Sequence, residues 1–239
     1  MTLRLTARRV LDPILDRLAP GFVWWRHRRT WNGLSRTKPR VVTAAQDAED
    51  WDTYWASGRR DLGTLLEIGN RPGPLGRGLV VDLGCGIGRL ALPLSEVFAQ
   101  VVGADISREM LAQARANVPA AHVRFILVGP NCRLDLLDGS ADVMLAWTVF
   151  RHTPKSVFES YVREAKRVLK PTGRLLFEAQ IRVVGEVVDP PEYQPITERE
   201  YRREELCGYC ARAGLTWVAD LVTSSVTPGT STLIMAWQK

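Results

Sequence analysis

The sequence has few of the residues that build metal or disulfide sites. Its 239 residues include three histidines and four cysteines, of which Cys207 and Cys210 form a lone CxxC pair. A structural zinc site needs a second pair or histidines at ligand spacing, and a thioredoxin-type pair lies at a strand-to-helix turn. Since this pair lies inside a helical pattern, we expect small, half-buried residues rather than a metal or redox site.

Long apolar runs are also missing. No segment approaches the length of a membrane-spanning helix, and residues 1–5 lack the continuous apolar stretch of a secretory signal peptide. Without either feature, a cytoplasmic location is expected.

Acidic residues are scarce at the start of the chain. Residues 1–40 contain ten Arg or Lys and two Asp, a net charge of +8, whereas the remainder carries −2. Within this segment, residues 22–31 are both aromatic and basic. They indicate either contact with an anionic surface, membrane or nucleic acid, or aromatic rings packed on the main domain beneath solvated arginines. The second interpretation is favoured, because such helices usually dock on their own domain.

Glycine and proline divide the chain into two parts. Helical spacing predicts helices over residues 3–18 and 44–68, and the Gly- and Pro-rich residues 69–78 read as a linker. We therefore predict a helical extension or lid over residues 1–75 and a main domain over residues 76–239.

Strand and helix patterns alternate through the main domain. The predicted strands are 79–83, 101–105, 123–128, 141–147, 173–179, 215–221 and 230–237. The predicted helices are 87–98, 107–117, 155–169 and 198–213. This alternation predicts an α/β fold, a doubly wound, Rossmann-like, seven-stranded and mostly parallel sheet. The short turn near residues 228–229 predicts an antiparallel hairpin at its edge.

A glycine turn follows the first strand of this domain. Gly84, Gly86 and Gly88 have GxGxG spacing, Asp82 precedes them, and the second strand ends at Asp105. The turn, at the start of the predicted helix 87–98, would offer free N–H groups to an electron-rich ligand. An acid in the position of Asp105 accepts hydrogen bonds from a ribose diol. The pattern fits NAD or S-adenosylmethionine (SAM), and the GxGxG spacing in place of GxGxxG weakens NAD.

Several motifs in order give the chain a resemblance to the class I SAM-dependent methyltransferases, of the small-molecule type. The segments that carry it are VVDLGCGIGRLALPL, VVGADIS, AHVRFILVG, DGSADVMLAWTVFRHTP, RVLKPTGRLLFE and YRREELCGYCARAGL. Together they cover most of residues 50–239. The resemblance implies SAM as cofactor and S-adenosylhomocysteine as product.

The resemblance also assigns cofactor contacts. The methionine part of SAM would be contacted by Asp82, Gly84, Cys85 and Gly86. Asp105 would bond the ribose hydroxyls, and Ile106 would cover one face of the adenine. In the loop after the third strand, where the family often has an acid, Asn131 would bond the adenine edge beside Cys132. At the end of the fourth strand, Ala146, Trp147 and Thr148 would lie near the methyl group.

Two further residues are candidates on chemical grounds. His152 follows the fourth strand and is a candidate general base, although its ring would equally serve a structural role by bonding a backbone group. Arg59 would pair with the SAM carboxylate, while Trp51, Tyr54 and Trp55 would close over the cofactor. The alternative, at least equally favoured for Trp51, is that these aromatics pack the helix on the core. The fourth strand offers no acids for a metal, so metal-independent transfer is expected.

These observations predict a SAM-dependent methyltransferase of a small-molecule acceptor, at oxygen. Three alternatives remain open. They are N-methylation of a small molecule, action on RNA or a lipid-linked substrate recruited through residues 1–40, and SAM binding without catalysis. The N-terminal helices and residues 180–197 would form the walls of the acceptor pocket.

Overall fold

The computed structural model describes residues 20–37, 50–187, 189–190, 194–225 and 227–239. Its helices are α1 (Pro20–Thr37), α2 (Trp51–Asn70), α3 (Ala91–Leu94), α4 (Arg108–Asn117), α5 (Lys155–Val168) and α6 (Arg203–Arg212). Its strands are β1 (Leu79–Leu83), β2 (Gln100–Asp105), β3 (Val123–Leu127), β4 (Ala141–Ala146), β5 (Leu169–Arg182), β6 (Thr216–Ser224) and β7 (Thr230–Gln238). The predicted helix 3–18 and the start of the predicted helix 44–68 lie outside the described residues.

The seven strands form one sheet in the order β3-β2-β1-β4-β5-β7-β6. Strands β1 to β5 pair in parallel, while β7 runs antiparallel between β5 and β6. The predicted fold class and edge hairpin are thereby confirmed. Strand order reverses between β1 and β4, and ligands of such sheets bind outside the carboxyl ends of the strands at that reversal.

Both faces of the sheet are covered. Val80 and Val81 of β1 are fully buried and belong to opposite cores, as the continuous apolar run predicts. The core on one face includes Phe158 of α5, and the core on the other includes Leu65 of α2 and Leu94 of α3. The sheet is thus held rigidly between two helical layers, and its strand ends are fixed relative to one another.

The predicted helix over residues 87–98 is wrong in most of its length. Residues 84–90 are mainly turns, with Gly88 at a φ of +95°, and α3 covers only Ala91–Leu94. Pro93 has no N–H and cannot bond the carbonyl of Arg89, which weakens a helix at this point. Gly58 of α2 comes close to that carbonyl, where a Cβ would clash with its oxygen.

Smaller differences affect the second half of the sheet. Strand β5 runs beyond the predicted 173–179 because it pairs with β7 as far as Arg182 opposite Thr230. Helix α6 begins at Arg203 rather than 198, since Tyr201 bridges to Ile181 at the end of β5. The helical pattern of the local sequence does not reveal this pairing, because Tyr201 and Ile181 are distant in the chain.

Candidate functional site

A cavity of about 370 Å³ lies at the carboxyl ends of β1, β2 and β4. Most of the residues predicted to bind cofactor line it, together with the candidate base. These are Asp82, Gly84, Cys85, Gly86, Asp105, Ile106, Asn131, Cys132, Trp147, Thr148 and His152. The topology therefore collects, at one place, residues that are up to 70 positions apart in the chain.

The glycine turn offers this cavity a different chemistry from the one expected. The N–H groups of Gly84 and Cys85 both donate to the carbonyl of Ala104, at 2.7 and 3.2 Å, and that of Gly86 donates to Asp105 Oδ2 at 3.0 Å. The expectation of free N–H groups for an electron-rich ligand is therefore wrong at Gly84, Cys85 and Gly86, and α3 is only a single short turn. Because these three N–H groups are satisfied within the protein, they are not available to an anionic group of a ligand.

Gly84 is the position in the turn where a side chain is least tolerable. Its φ is +69°, and a Cβ there would overlap a methyl group of Val149. We expect Gly84→Ala to lower the free energy of unfolding by about 2–4 kcal/mol, from left-handed backbone strain plus overpacking.

Urea unfolding checks this expectation. Gly63→Ala is the matched control, because Gly63 lies within α2 and nothing lies within 4 Å of where its Cβ would be, and it should stabilise by about 0.5–1 kcal/mol. A Gly84→Ala protein as stable as the wild type would contradict the close packing of the turn on Val149.

Asp105 ties the second strand to the glycine turn. Its Oδ2 accepts from the N–H of Gly86 at 3.0 Å and its Oδ1 from the N–H of Ser107 at 2.8 Å. Ser107 in turn caps α4, its Oγ accepting from the N–H of Met110 at 3.1 Å. Burial raises the pKa of Asp105 to about 6, against the lowering effect of these backbone donors. The carboxylate is held in one orientation, with lone pairs left for the two hydroxyls of a ribose.

Asp82 lines the cavity and has a buried carboxylate oxygen without a hydrogen-bond partner among the described residues. Its side chain is 2% exposed, and among the described residues none bonds its Oδ2. Burial, with the nearby Asp105 charge, raises the pKa of Asp82 to about 7, although Arg89 acts to lower it. A buried carboxylate oxygen without a partner is costly, and an ammonium group of a ligand would satisfy it.

The raised pKa of Asp82 predicts that the affinity for a ligand with an ammonium group depends on pH. A ligand ammonium favours the ionised carboxylate, so binding below pH 7 must release the proton of Asp82. We expect the affinity for S-adenosylhomocysteine to rise by up to about tenfold per pH unit below pH 7 and to level off above it. Calorimetry across this range would measure the slope.

Asp82→Asn is the control for this dependence. It should flatten the profile between pH 6 and 7 and leave a residual slope below about pH 6, where Asp105 protonates. Wild-type affinity that is constant from about pH 5.5 to pH 8 would contradict the assignment of Asp82 to the ligand ammonium.

The loop after β3 borders the predicted adenine side. Asn131 Oδ1 accepts from the N–H of Arg133 at 3.2 Å, which fixes the side chain within its own loop. Cys132 is buried with a φ of +57°, and burial raises the pKa of its thiol to about 11. The thiol is therefore neutral at physiological pH and offers a polarisable, apolar contact.

The end of β4 holds a strained residue that sequence reasoning did not single out as such. Thr148 has a φ of +56°, which is rare for a β-branched residue, and its N–H donates to Glu178 Oε2 at 3.0 Å. Glu178 is 1% exposed and pairs with Arg151 at 2.8 Å. This buried pair holds Thr148 and Trp147 at the cavity wall, while Ala146 is buried in the core and does not line it.

His152 lies at the end of a short 3-10 turn, Phe150–His152, and lines the same cavity. Burial, followed by the charges of Arg151 and Arg199, lowers its pKa to about 4, although a backbone hydrogen bond with Thr197 acts to raise it. In the described part of the chain nothing bonds its Nδ1, so the Thr197 bond falls to Nε2. The ring is therefore neutral at physiological pH, with Nδ1 available as a proton acceptor.

Helix α1 covers the cavity. Val23 and His27 are buried, and with Trp24 and Trp31 they line the cavity, where the Trp31 ring lies edge-on to His152 at 5.6 Å. The favoured interpretation of residues 22–31, aromatic rings packed on the main domain, is confirmed for this inner face. No described residue of 180–197 lines the cavity, so of the two predicted walls only the N-terminal helical one, α1, is found among the described residues.

Arg59 and the aromatic residues of α2 lie outside the cavity. The Arg59 guanidinium forms an exposed ion pair with Glu96 instead of facing the cofactor site. Tyr54 is fully buried and packs with Ile87 behind the glycine turn. Arg89, which sequence reasoning missed, is the arginine at the cavity and pairs with Asp61 at 2.6 Å. Its place directly after Gly88 was the available signal.

Comparison with known proteins identifies the family. Residues 81–177, which run from β1 into β5 and include the glycine turn, match a family described as a methyltransferase domain. Residues 81–177 are thus a methyltransferase domain, and SAM-dependent methyltransferases are among the relatives of the chain in sequence and in structure. SAM is the cofactor of this family, and the partner-free Asp82 oxygen with the oriented Asp105 carboxylate fits its ammonium and ribose.

Individual relatives agree at the level of the family. The chain is 30% identical to a probable SAM-dependent methyltransferase of Mycolicibacterium smegmatis over 56% of its own length and 51% of that protein. It is 28% identical to a malonyl-(acyl-carrier protein) O-methyltransferase of Geobacter sulfurreducens, over 70% of its own length and 66% of that protein. The chain thus spans about half to two thirds of the length of these relatives.

A solved structure supports the fold. Geranyl diphosphate C-methyltransferase of Streptomyces coelicolor aligns with a TM-score of 0.65 and 15% identity, covering 90% of this chain and 98% of that one.

Among the described residues, no group of three or more His, Cys, Asp or Glu is placed to hold a metal ion. None of the described helices has the length and apolar character needed to span a bilayer.

Proposed function

We propose that the protein is a SAM-dependent, metal-independent methyltransferase that methylates a small, apolar molecule at a hydroxyl oxygen. The observation that supports the proposal is a single cavity, in which we assign a cofactor end and an acceptor end. Asp82, Asp105 and the glycine turn form the first, and Trp24, Trp147 and His152 form the second.

The cofactor end would be organised by the two buried acids. Asp82 Oδ2 would accept from the ammonium of SAM, Asp105 would accept from the ribose hydroxyls, and Ile106 would cover the adenine. Bound in this way, SAM supplies an electrophilic methyl group on a sulfonium. The residues around it then have to position the acceptor and exclude water.

The acceptor end favours an uncharged molecule with a hydroxyl group. Its walls include Trp24, Trp31, Trp147 and Val157, and of the described charged residues only Asp82, Arg89 and Asp105 line the cavity. Two of the lining residues each have a buried polar atom with no partner within the described residues, the indole Nε1 of Trp24 and Nδ1 of His152. A hydroxyl oxygen has two lone pairs, so it can accept from the first while it attacks the methyl group and donates its proton to the second. An amine nitrogen has only one lone pair, which the attack itself uses.

His152 would then act as the general base. As the acceptor oxygen forms its bond to the methyl carbon and the carbon–sulfur bond breaks, the hydroxyl proton passes to Nδ1 of His152. S-adenosylhomocysteine is the second product. The ring is neutral above about pH 4 and keeps its acceptor lone pair at physiological pH, while the low pKa makes it a weaker base than an ordinary histidine.

Acceptor pairs that differ in one group test the proposal. The protein would be incubated with methyl-labelled SAM and matched apolar phenols and aryl amines, such as 1-naphthol with 1-naphthylamine, together with a low-molecular-weight cell extract. We expect labelled methyl groups on oxygen, identified by NMR. Methylation of the amines in place of the hydroxyl compounds would contradict oxygen as the target. SAM binding with no labelled product from any source would favour the non-catalytic alternative.

A further inference from the structure

Helix α1 has a second face that the cavity does not use. While Val23 and His27 are buried against the domain, Phe22 and Trp25 point away from it and are 41% and 49% exposed. Their rings stack on each other, with centroids 6.1 Å apart. The interpretation of these aromatics as domain-packing residues is therefore wrong for this outer face, which leaves two large apolar side chains in solvent.

All charged side chains of α1 are positive. The helix contains four arginines and no acidic residue, in a segment of 40 residues with a net charge of +8. The Arg29 guanidinium lies over the Trp25 ring, 5.5 Å from its centroid. Arg36, by contrast, pairs with Glu109 of α4 at 2.6 Å and helps to fix the helix on the domain. Of the other three arginines, Arg26 and Arg29 lie beside Trp25, whereas Arg28 lies over the Trp24 ring, 5.1 Å from its centroid.

A shallow groove runs along this same outer face. Its lining consists of Trp25, Arg26, Arg29, Thr30, Gly33 and Leu34. Gly33 adds no side chain, and nothing lies within 4 Å of where its Cβ would be. Two guanidinium groups and a hydroxyl beside an indole match the phosphate and glycerol of an anionic lipid headgroup.

We propose that the outer face of α1, formed by Phe22, Trp25, Arg26 and Arg29, docks the protein on an anionic lipid bilayer. Tryptophan and phenylalanine insert at the headgroup boundary, while arginines attract anionic lipids. Phe22 and Trp25 are stacked on each other and present one apolar wedge, rather than separate platforms for successive nucleic-acid bases. This arrangement favours a bilayer over RNA.

Docking through this face has a consequence for the cavity. The opposite face of the same helix lines the acceptor end through Trp24 and Trp31. A docked α1 would therefore hold the apolar cavity one helix diameter, about 10 Å, from the membrane surface. Apolar acceptors dissolved in the bilayer would then be within reach of the site.

Vesicle co-sedimentation of the full chain tests the proposal. We expect binding to vesicles of phosphatidylcholine with phosphatidylglycerol, weakened by salt, and little binding to phosphatidylcholine alone. The Phe22→Ala/Trp25→Ala and Arg26→Glu/Arg29→Glu double variants should each lower the partition coefficient at least about tenfold.

Matched controls separate this surface from general effects. Trp217→Ala removes an indole that is also 49% exposed, and Arg163→Glu/Arg212→Glu reverses two exposed charges on α5 and α6. Both should bind vesicles like the wild type. S-adenosylhomocysteine affinity, measured for every variant, shows that the domain is folded and is expected to be unchanged, so membrane docking can fail while the cofactor site stands.

Three results would overturn the proposal. One is unchanged vesicle binding by both α1 double variants. The second is no binding of the wild type to anionic vesicles. The third is salt-sensitive binding to single-stranded RNA, lost in the Arg26→Glu/Arg29→Glu variant, without vesicle binding, which would reassign the face to nucleic acid.

Discussion

Replacing Asp105 with alanine should weaken the binding of S-adenosylhomocysteine at least about 100-fold, because two hydrogen bonds from the ribose to a charged acceptor are worth about 3 kcal/mol or more. The substitution also removes the acceptor for the N–H groups of Gly86 and Ser107, which loosens the glycine turn. Both effects act on the cofactor end of the cavity. Calorimetric titration would measure the loss.

Two variants make this result specific. Asp135→Ala removes an exposed acid from the loop after β3 and should leave the affinity unchanged. Asp105→Asn keeps the size of the side chain and one acceptor oxygen, so it should fall between the wild type and Asp105→Ala. If Asp105→Ala bound as tightly as the wild type while remaining folded, the ribose would have to lie elsewhere.

The second large effect is expected at His152. His152→Ala should lower kcat about 100-fold, the lower end of what a positioned general base contributes, with little change in cofactor affinity. With saturating SAM, wild-type kcat should not fall between about pH 8 and pH 5, because His152 stays neutral until its pKa of about 4. A base with an ordinary histidine pKa would already lose activity below about pH 6.5.

Comparison variants distinguish chemistry from packing at this position. His122→Ala removes a histidine whose ring bonds the carbonyl of Ser95 on the surface, and it should have wild-type activity. His152→Asn retains an acceptor atom near the position of Nδ1 but cannot take a proton at neutral pH. We expect His152→Asn to lower kcat while it changes the KM for the acceptor much less. Equal activity of His152→Ala and the wild type would leave the histidine a structural role only.

The sheet was predictable because its signals are local. The apolar run of β1, the acids that end β1 and β2, and the short turn before β7 each fix one feature through a few neighbouring residues. Once a parallel sheet is expected, its topology places Asp82, Asp105 and Trp147 at one edge. That most of the proposed cofactor residues line one cavity could therefore be predicted from the sequence.

The acceptor end was harder to predict because it depends on contacts distant in the sequence. Periodicity shows that α1 has an apolar side, but it does not show that Trp24 and Trp31 cover a cavity formed by β4. The Glu178–Arg151 pair that supports Thr148 joins residues on different strands and turns. Arg59 and Arg89 illustrate the same limit, since the direction of each side chain is set by its partner, Glu96 or Asp61.

The most direct test of the cofactor assignment is a crystal structure of the protein with S-adenosylhomocysteine. We expect the ribose hydroxyls within hydrogen-bonding distance of the Asp105 carboxylate and the ammonium at Asp82 Oδ2. The sulfur should face Trp147 and His152. A ligand bound outside this cavity, or bound within it with its ammonium away from Asp82 and its ribose away from Asp105, would contradict this assignment.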